Sequence, residues 1–248
     1  MNPRLLGLIA LGIYLLALLV TLPAKLFVGL LPAELQVGAV SGSLWQGQLK
    51  RLQWQQVRLE SLDFELNTLA LLRGRISYEL NSPRAGDNLV RGNFWLSPFG
   101  YGASSATVQL PASLVSPLLR LPIPLAIDGV LRAEIKELAS GSPWCDQLSA
   151  TLYWQDAVVR SRMLPEPLAL GPYQAQLSCS EGGINASLSD DGALGLSGQV
   201  QLGAEHSYKL TLRAEPTSAL PATVRGGLDF IAERDGNAYL LSSEGKLR

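Results

Sequence analysis

Few side chains in this sequence are of types that could do chemistry. Of the 248 residues, only Cys145 and Cys179 are cysteines and only His206 is a histidine. A metal centre needs partners such as histidines at ligand spacing, and with no such cluster no metal ligand is assigned. His206 lies in Gly203-Ala204-Glu205-His206-Ser207, which reads as a surface turn between two strands. A triad built on it would need a serine on a strained, glycine-flanked turn, and the serines of Ser41-Gly42-Ser43 and Ser242-Ser243 lack that pattern. Asp190-Asp191-Gly192 is a hairpin-turn signal, and two neighbouring carboxylates do not make a calcium loop. With no acid pair, phosphate loop or dinucleotide fingerprint, the sequence offers no catalytic residue, no cofactor and no expectation of an enzyme.

The elements that would position these residues begin with an apolar run. Only Asn2 and Arg4 are polar before the stretch Leu5 to Leu22, whose sole polar side chains are those of Tyr14 and Thr21. At about 1.5 Å per residue these positions span roughly 27 Å, the hydrocarbon thickness of a bilayer. A cleaved signal peptide has a shorter apolar region, roughly 7 to 15 residues, and Pro23 in Thr21-Leu22-Pro23-Ala24-Lys25 sits badly for cleavage. A retained single-pass anchor is expected, with residues 1–4 cytoplasmic and a signal-anchor helix over 5–25. Arg4 and the amino terminus precede the helix, which biases the N-terminus inward and the bulk of the chain outward. No tryptophan flanks the helix, so an interfacial aromatic belt is missing from the local sequence. Leu26 to Leu31 either extends the helix or lies in the interface.

Beyond Gly38 the period changes to two. Leu125, Ile127, Gly129, Leu131, Ala133 and Ile135 alternate with mostly polar residues, as expected of a strand with one buried and one wet face. The alternation recurs at Ile76 to Leu80, Leu148 to Trp154, Tyr173 to Cys179, Ile184 to Leu188, Leu194 to Leu202, Tyr208 to Leu212 and Leu228 to Phe230. Clean alternation suits antiparallel sheets, and 24 glycines with 15 prolines supply the turns. Ten or more strands are expected in an all-β domain over 33–248, a curved sheet or a sandwich, with one N-terminal transmembrane α-helix before it. Thr68 to Leu72 and Ser113 to Leu121 are the helical exceptions. Val57 and Leu59 are out of phase with Leu62, Phe64 and Leu66, which implies a bulge or turn near Glu60-Ser61. The Pro-rich run 111–124 is a possible boundary between two sheet halves, although one continuous sheet is favoured.

Outside the cytoplasm an even cysteine count is the usual setting for a disulfide, so Cys145 and Cys179 are expected to pair. Closing a loop of about 35 residues stabilises by roughly 4 kcal/mol in the chain-entropy account. Trp45, Trp54, Trp95, Trp144 and Trp154 fall in or near strands, where core or sheet-edge packing and a partner-binding surface both remain open. With 20 basic and 21 acidic residues there is no basic excess for nucleic acid.

Four features in order carry a resemblance to a known family. They are the anchor Leu5 to Leu22, the segment Val40-Ser41-Gly42-Ser43-Leu44-Trp45-Gln46-Gly47, the turn Leu110-Pro111-Ala112-Ser113-Leu114 followed by Leu121-Pro122 and Asp128-Gly129, and Leu152-Tyr153-Trp154-Gln155-Asp156-Ala157. Over nearly its whole length the chain resembles the type II secretion system protein N family, and the cysteine pair fits that family. The resemblance implies a single-pass inner-membrane protein with its β domain in the periplasm, an accessory part of the apparatus that exports folded proteins across the outer membrane. Its partners would be other secretion components and the inner membrane, with no nucleic acid and no small-molecule substrate. The competing expectation is a groove-type periplasmic lipid-handling protein, which would leave a long apolar strip of the sheet uncovered.

Overall fold

In the computed structural model the described residues are Tyr14, 21–25, 35–54, 57–83, 88–114, 125–161, 166–190, 192–203, 205, 207–217, 220, 226 and 232–246. Among them fourteen strands form one antiparallel sheet. They are β1 (Leu35–Gly42), β2 (Gln46–Trp54), β3 (Val57–Leu66), β4 (Ile76–Asn81), β5 (Leu89–Ser97), β6 (Gly100–Pro111) and β7 (Leu125–Ser140), continuing with β8 (Cys145–Ser161), β9 (Leu168–Ser180), β10 (Gly183–Asp190), β11 (Leu196–Leu202), β12 (Ser207–Ala214), β13 (Glu233–Asp235) and β14 (Ala238–Lys246). Each strand lies beside its sequence neighbour as far as β12, which then pairs with β14, leaving β13 at the edge. Nothing divides the sheet at the Pro-rich run, because β6 and β7 pair directly from Gly102↔Ala139 to Pro111↔Val130.

The alternation read from the sequence sorts the sheet into two faces. On one face Ile135, Ala150, Leu177, Ala186, Val200 and Leu210 lie side by side across six strands. One residue along, Glu134, Thr151, Gln176, Ser187, Gln199 and Thr211 form the matching row on the opposite face. Cross-strand partners share a face, so a period of two repeated in register through the meander produces one apolar and one polar surface.

Local chemistry fixes the register. Glu181 and Gly182 both have positive φ, 53° and 75°, between the paired Ser180 and Gly183, as a two-residue type I′ hairpin requires. The ladder between β7 and β8 shifts register beyond Asp128, at Gly129 with φ 107° and Asp156 with φ 50°. A Cβ on Gly129 would stand 2.5 Å from the carbonyl oxygens of Gln155 and Asp156, so only glycine fits this paired bulge, which bends the sheet.

The phase slip of β3 is real but takes another form. Val37 and Val40, Leu52 and Leu49, and Leu59 and Leu62 are mutually paired, and in each of the three strands the apolar positions are three apart. Each strand carries the same extra step, so the ladder crosses Glu60 without a register shift, and the positive φ of 53° falls opposite it on Arg51. The expected bulge at Glu60-Ser61 is therefore replaced by an irregularity shared by three strands. Sequence periodicity detects the change of face but not which strand absorbs the unusual dihedral.

Two short helical pieces connect or follow strands of the sheet. α1 (Thr68–Leu71) links β3 to β4 and is capped by the Asn67 side chain, which accepts from the Leu69 N–H at 3.1 Å. A single 3-10 turn follows β6 over Ala112–Leu114, and the remainder of the expected helix to Leu121 lies outside the described residues. So do His206, Asp191, the run Leu26 to Leu31, the expected strand Leu228 to Phe230, and the anchor Leu5 to Leu22 apart from Tyr14, Thr21 and Leu22. Among the described residues no helix is long and apolar enough to cross a membrane.

Candidate functional site

The six strands from β7 to β12 carry the continuous apolar row from Ile135 to Leu210, on which no other described strand packs. A closed sandwich would enclose bulky side chains, yet the largest fully buried side chains among the described residues are those of Cys145 and Ser82. Half of the buried apolar residues are alanines, the others including Leu52, Leu62, Leu66, Ile127, Leu170 and Tyr239, while Leu177, Val200 and Leu210 are half-buried. Among the described residues no second sheet packs on this row. The polar row opposite is exposed from β9 to β12, at Gln176, Ser187, Gln199 and Thr211.

Cys145 and Cys179 are joined, with Cα atoms 6.2 Å apart. The position has a structural logic. The β8–β9 ladder begins only at Ser149↔Ser178, although Cys145 is still paired to Ser140 of β7. The disulfide ties β9 to β8 where their hydrogen bonding has ended. Trp144, beside it, donates its indole N–H to the Gly203 carbonyl at 3.0 Å, drawing the β11–β12 turn to the same end.

The other tryptophans divide between packing and exposure. Trp154 donates to the Asp128 carbonyl at 3.0 Å and lies 5.6 Å from the Tyr173 ring, pinning the paired bulge. Trp95 lies across Gly102 of β6, a position where any Cβ would collide with the ring, and carries the Arg75 guanidinium 4.5 Å above it. Trp54 stays more than half exposed at the β2–β3 end.

The chain enters the sheet at a defined point. Pro23 forms a β-bridge with Ser43, and Leu44 N–H donates to the Leu22 carbonyl at 3.0 Å. The Leu44 carbonyl accepts from the Tyr78 hydroxyl at 3.2 Å, and the Trp45 carbonyl from Leu66 N–H at 2.7 Å. These bonds join the end of the apolar N-terminal run to β3 and β4. Burial pushes the Tyr78 phenol above its ordinary value, which keeps it a donor.

No group of three or more metal-ligating side chains occurs among the described residues. A cleft of about 1000 Å³ lies beside α1, lined by Arg73, Arg75, Trp95, Phe99, Glu137 and Asp146. The sequence reading missed Tyr78 as a tie and α1 and Phe99 as exposed apolar features. The available signal was a phenylalanine in the turn Pro98-Phe99, where polar residues are usual.

The family described as "Type II secretion system (T2SS), protein N" matches residues 33–241. This chain belongs to that family. The matched span runs from the entrance to β1 into β14, so it covers the sheet. A protein of Aeromonas hydrophila named type II secretion system protein N is 33% identical over 207 residues, covering 81% of this chain and 80% of that one. The protein of that name from Klebsiella pneumoniae is 30% identical over 225 residues, 89% and 86% of the two chains. The Vibrio cholerae relative is 26% identical over 204 residues, 81% and 80%. No solved structure matches the chain. Family membership makes the chain a secretion-system component, and the single antiparallel sheet is the form that its family segment takes.

Proposed function

We propose that this chain is an inner-membrane accessory component of the type II secretion system. Leu5 to Leu22 anchors it, the sheet lies in the periplasm, and it supports export through protein contacts without catalysis. Membership of the protein N family carries this reading, and the disulfide is consistent with an oxidising compartment. β1 offers one route for contact. It is an edge strand of eight residues, LQVGAVSG, with neither charge nor proline, the kind of edge on which a partner strand can pair. The opposite edge, β13, is three charged residues and resists such pairing.

The test is to purify the full chain from its native membranes after mild crosslinking and identify co-purifying proteins and lipids by mass spectrometry. Recovery of inner-membrane or secretin components, with no lipid beyond the annulus, supports the assembly role. A chain bearing acyl lipid on its sheet and no secretion component overturns it.

That second outcome is the expectation of a lipid-handling protein. The observation that favours it is the continuous apolar row from Ile135 to Leu210, on which no other described strand packs. An apolar strip of this length is the kind of surface on which an acyl chain can lie.

A further inference from the structure

The strand pairing brings several separate segments to one end of the sheet. Ile76 pairs with Leu96 and Leu96 with Tyr101, so α1 and the Pro98-Phe99 turn project from the same end. Gly42 pairs with Gly47 and Gln46 with Glu65, which puts the Ser43-Leu44-Trp45 turn there too. This is where Leu22 and Pro23 join the fold.

Exposed apolar side chains concentrate at this end. Leu69 is 72% exposed, Leu72 86% and Phe99 98%, with Ile76, Leu96 and Tyr101 about half exposed behind them. Arg73 and Arg75 are exposed around the same cleft as Leu69 and Phe99, and Lys25 is exposed just after the Pro23–Ser43 bridge. Bulky apolar tips flanked by cations match the boundary between acyl chains and anionic headgroups. Trp45 and Trp95 also come to this end, both partly buried.

We propose that this end of the sheet seats on the membrane that holds the N-terminal anchor. Leu69, Leu72 and Phe99 enter the acyl boundary, and Arg73 and Arg75 face phosphate headgroups. The proposal rests on Leu5 to Leu22 being a membrane anchor. It adds a second, independent membrane contact and fixes the sheet's orientation, with its strands rising from the bilayer.

The test uses the full chain reconstituted in phosphatidylethanolamine and phosphatidylglycerol vesicles containing lipids brominated near the headgroup end of their acyl chains. Three variants are compared with the parent: Leu72→Trp, Phe99→Trp and, as a control at the opposite end, Arg58→Trp. All three positions are exposed, and retained disulfide mobility on a non-reducing gel checks the fold. The expected result is a blue-shifted added emission that bromine quenches for Leu72→Trp and Phe99→Trp but not for Arg58→Trp. Absence of quenching at 72 and 99 in protein that resists carbonate extraction overturns the seating and leaves the anchor intact. Extraction by carbonate overturns the anchor and the seating together. In native membranes, protection of both positions from aqueous iodide without bromine quenching assigns the patch to a protein partner and overturns the lipid contact.

Discussion

The Tyr78 hydroxyl donates to the Leu44 carbonyl at 3.2 Å, across 34 residues of chain. Leu44 in turn holds the Leu22 carbonyl, so one phenol on β4 secures the turn against which the N-terminal segment docks. Tyr78→Phe keeps the ring contact with Phe64, whose centroid is 5.9 Å away, and removes only the hydrogen bond. The expected loss is about 1 kcal/mol in denaturant unfolding, with increased proteolysis near residues 21–25.

The same phenol gives a pH dependence. Its value is raised above 10.0 by burial, so the folded state holds this proton more tightly than the unfolded chain. The contribution is complete below pH 10.0 and is lost as pH rises through the higher folded value. Melting curves on the alkaline side should fall faster for the parent than for Tyr78→Phe. Parallel curves would contradict this assignment.

Reduction of Cys145–Cys179, or the paired Cys145→Ser and Cys179→Ser changes, should destabilise the sheet by at most about 4 kcal/mol, given a separation of 34 residues. Hydrogen exchange should rise first at 145–148 and 179–182, where no β8–β9 ladder remains. A uniform rise across all strands would show that the bond does not act locally.

Gly129→Ala forces a side chain against the carbonyls of Gln155 and Asp156 at φ 107°. A cost of about 2 kcal/mol is expected, visible as a lower unfolding midpoint. Gly74, whose would-be Cβ meets nothing within 4 Å, has φ 69°, so Gly74→Ala should lose only the dihedral part.

The two faces should respond differently to truncation. Leu177→Ala on the apolar row is expected to cost about 1 kcal/mol, as half-burial implies, while Gln176→Ala on the polar row should stay within about 0.5 kcal/mol. Equal effects would mean that the apolar face is not the more protected one.

By itself the sequence determined which residues share a face. Alternation from Tyr173 to Cys179 or from Leu196 to Leu202 translates into a strand with apolar and polar sides because the pleat has a period of two. It also pointed to a helical turn within Thr68 to Leu72, through the spacing of its residues, and to the pairing of the two cysteines, through their even number. It did not determine which dihedral absorbs the slip between Leu59 and Leu62, because three paired strands make that choice together and it falls on Arg51. The tertiary structure alone decided that no second layer packs on the apolar face among the described residues, since alternation is identical in a closed sandwich and a single sheet. It alone also joined Leu22, Leu44 and Tyr78 and placed Leu69 of α1 and Phe99 around one cleft. Those contacts depend on the order of strands in the ladder, a long-range pairing that no local pattern of residues encodes.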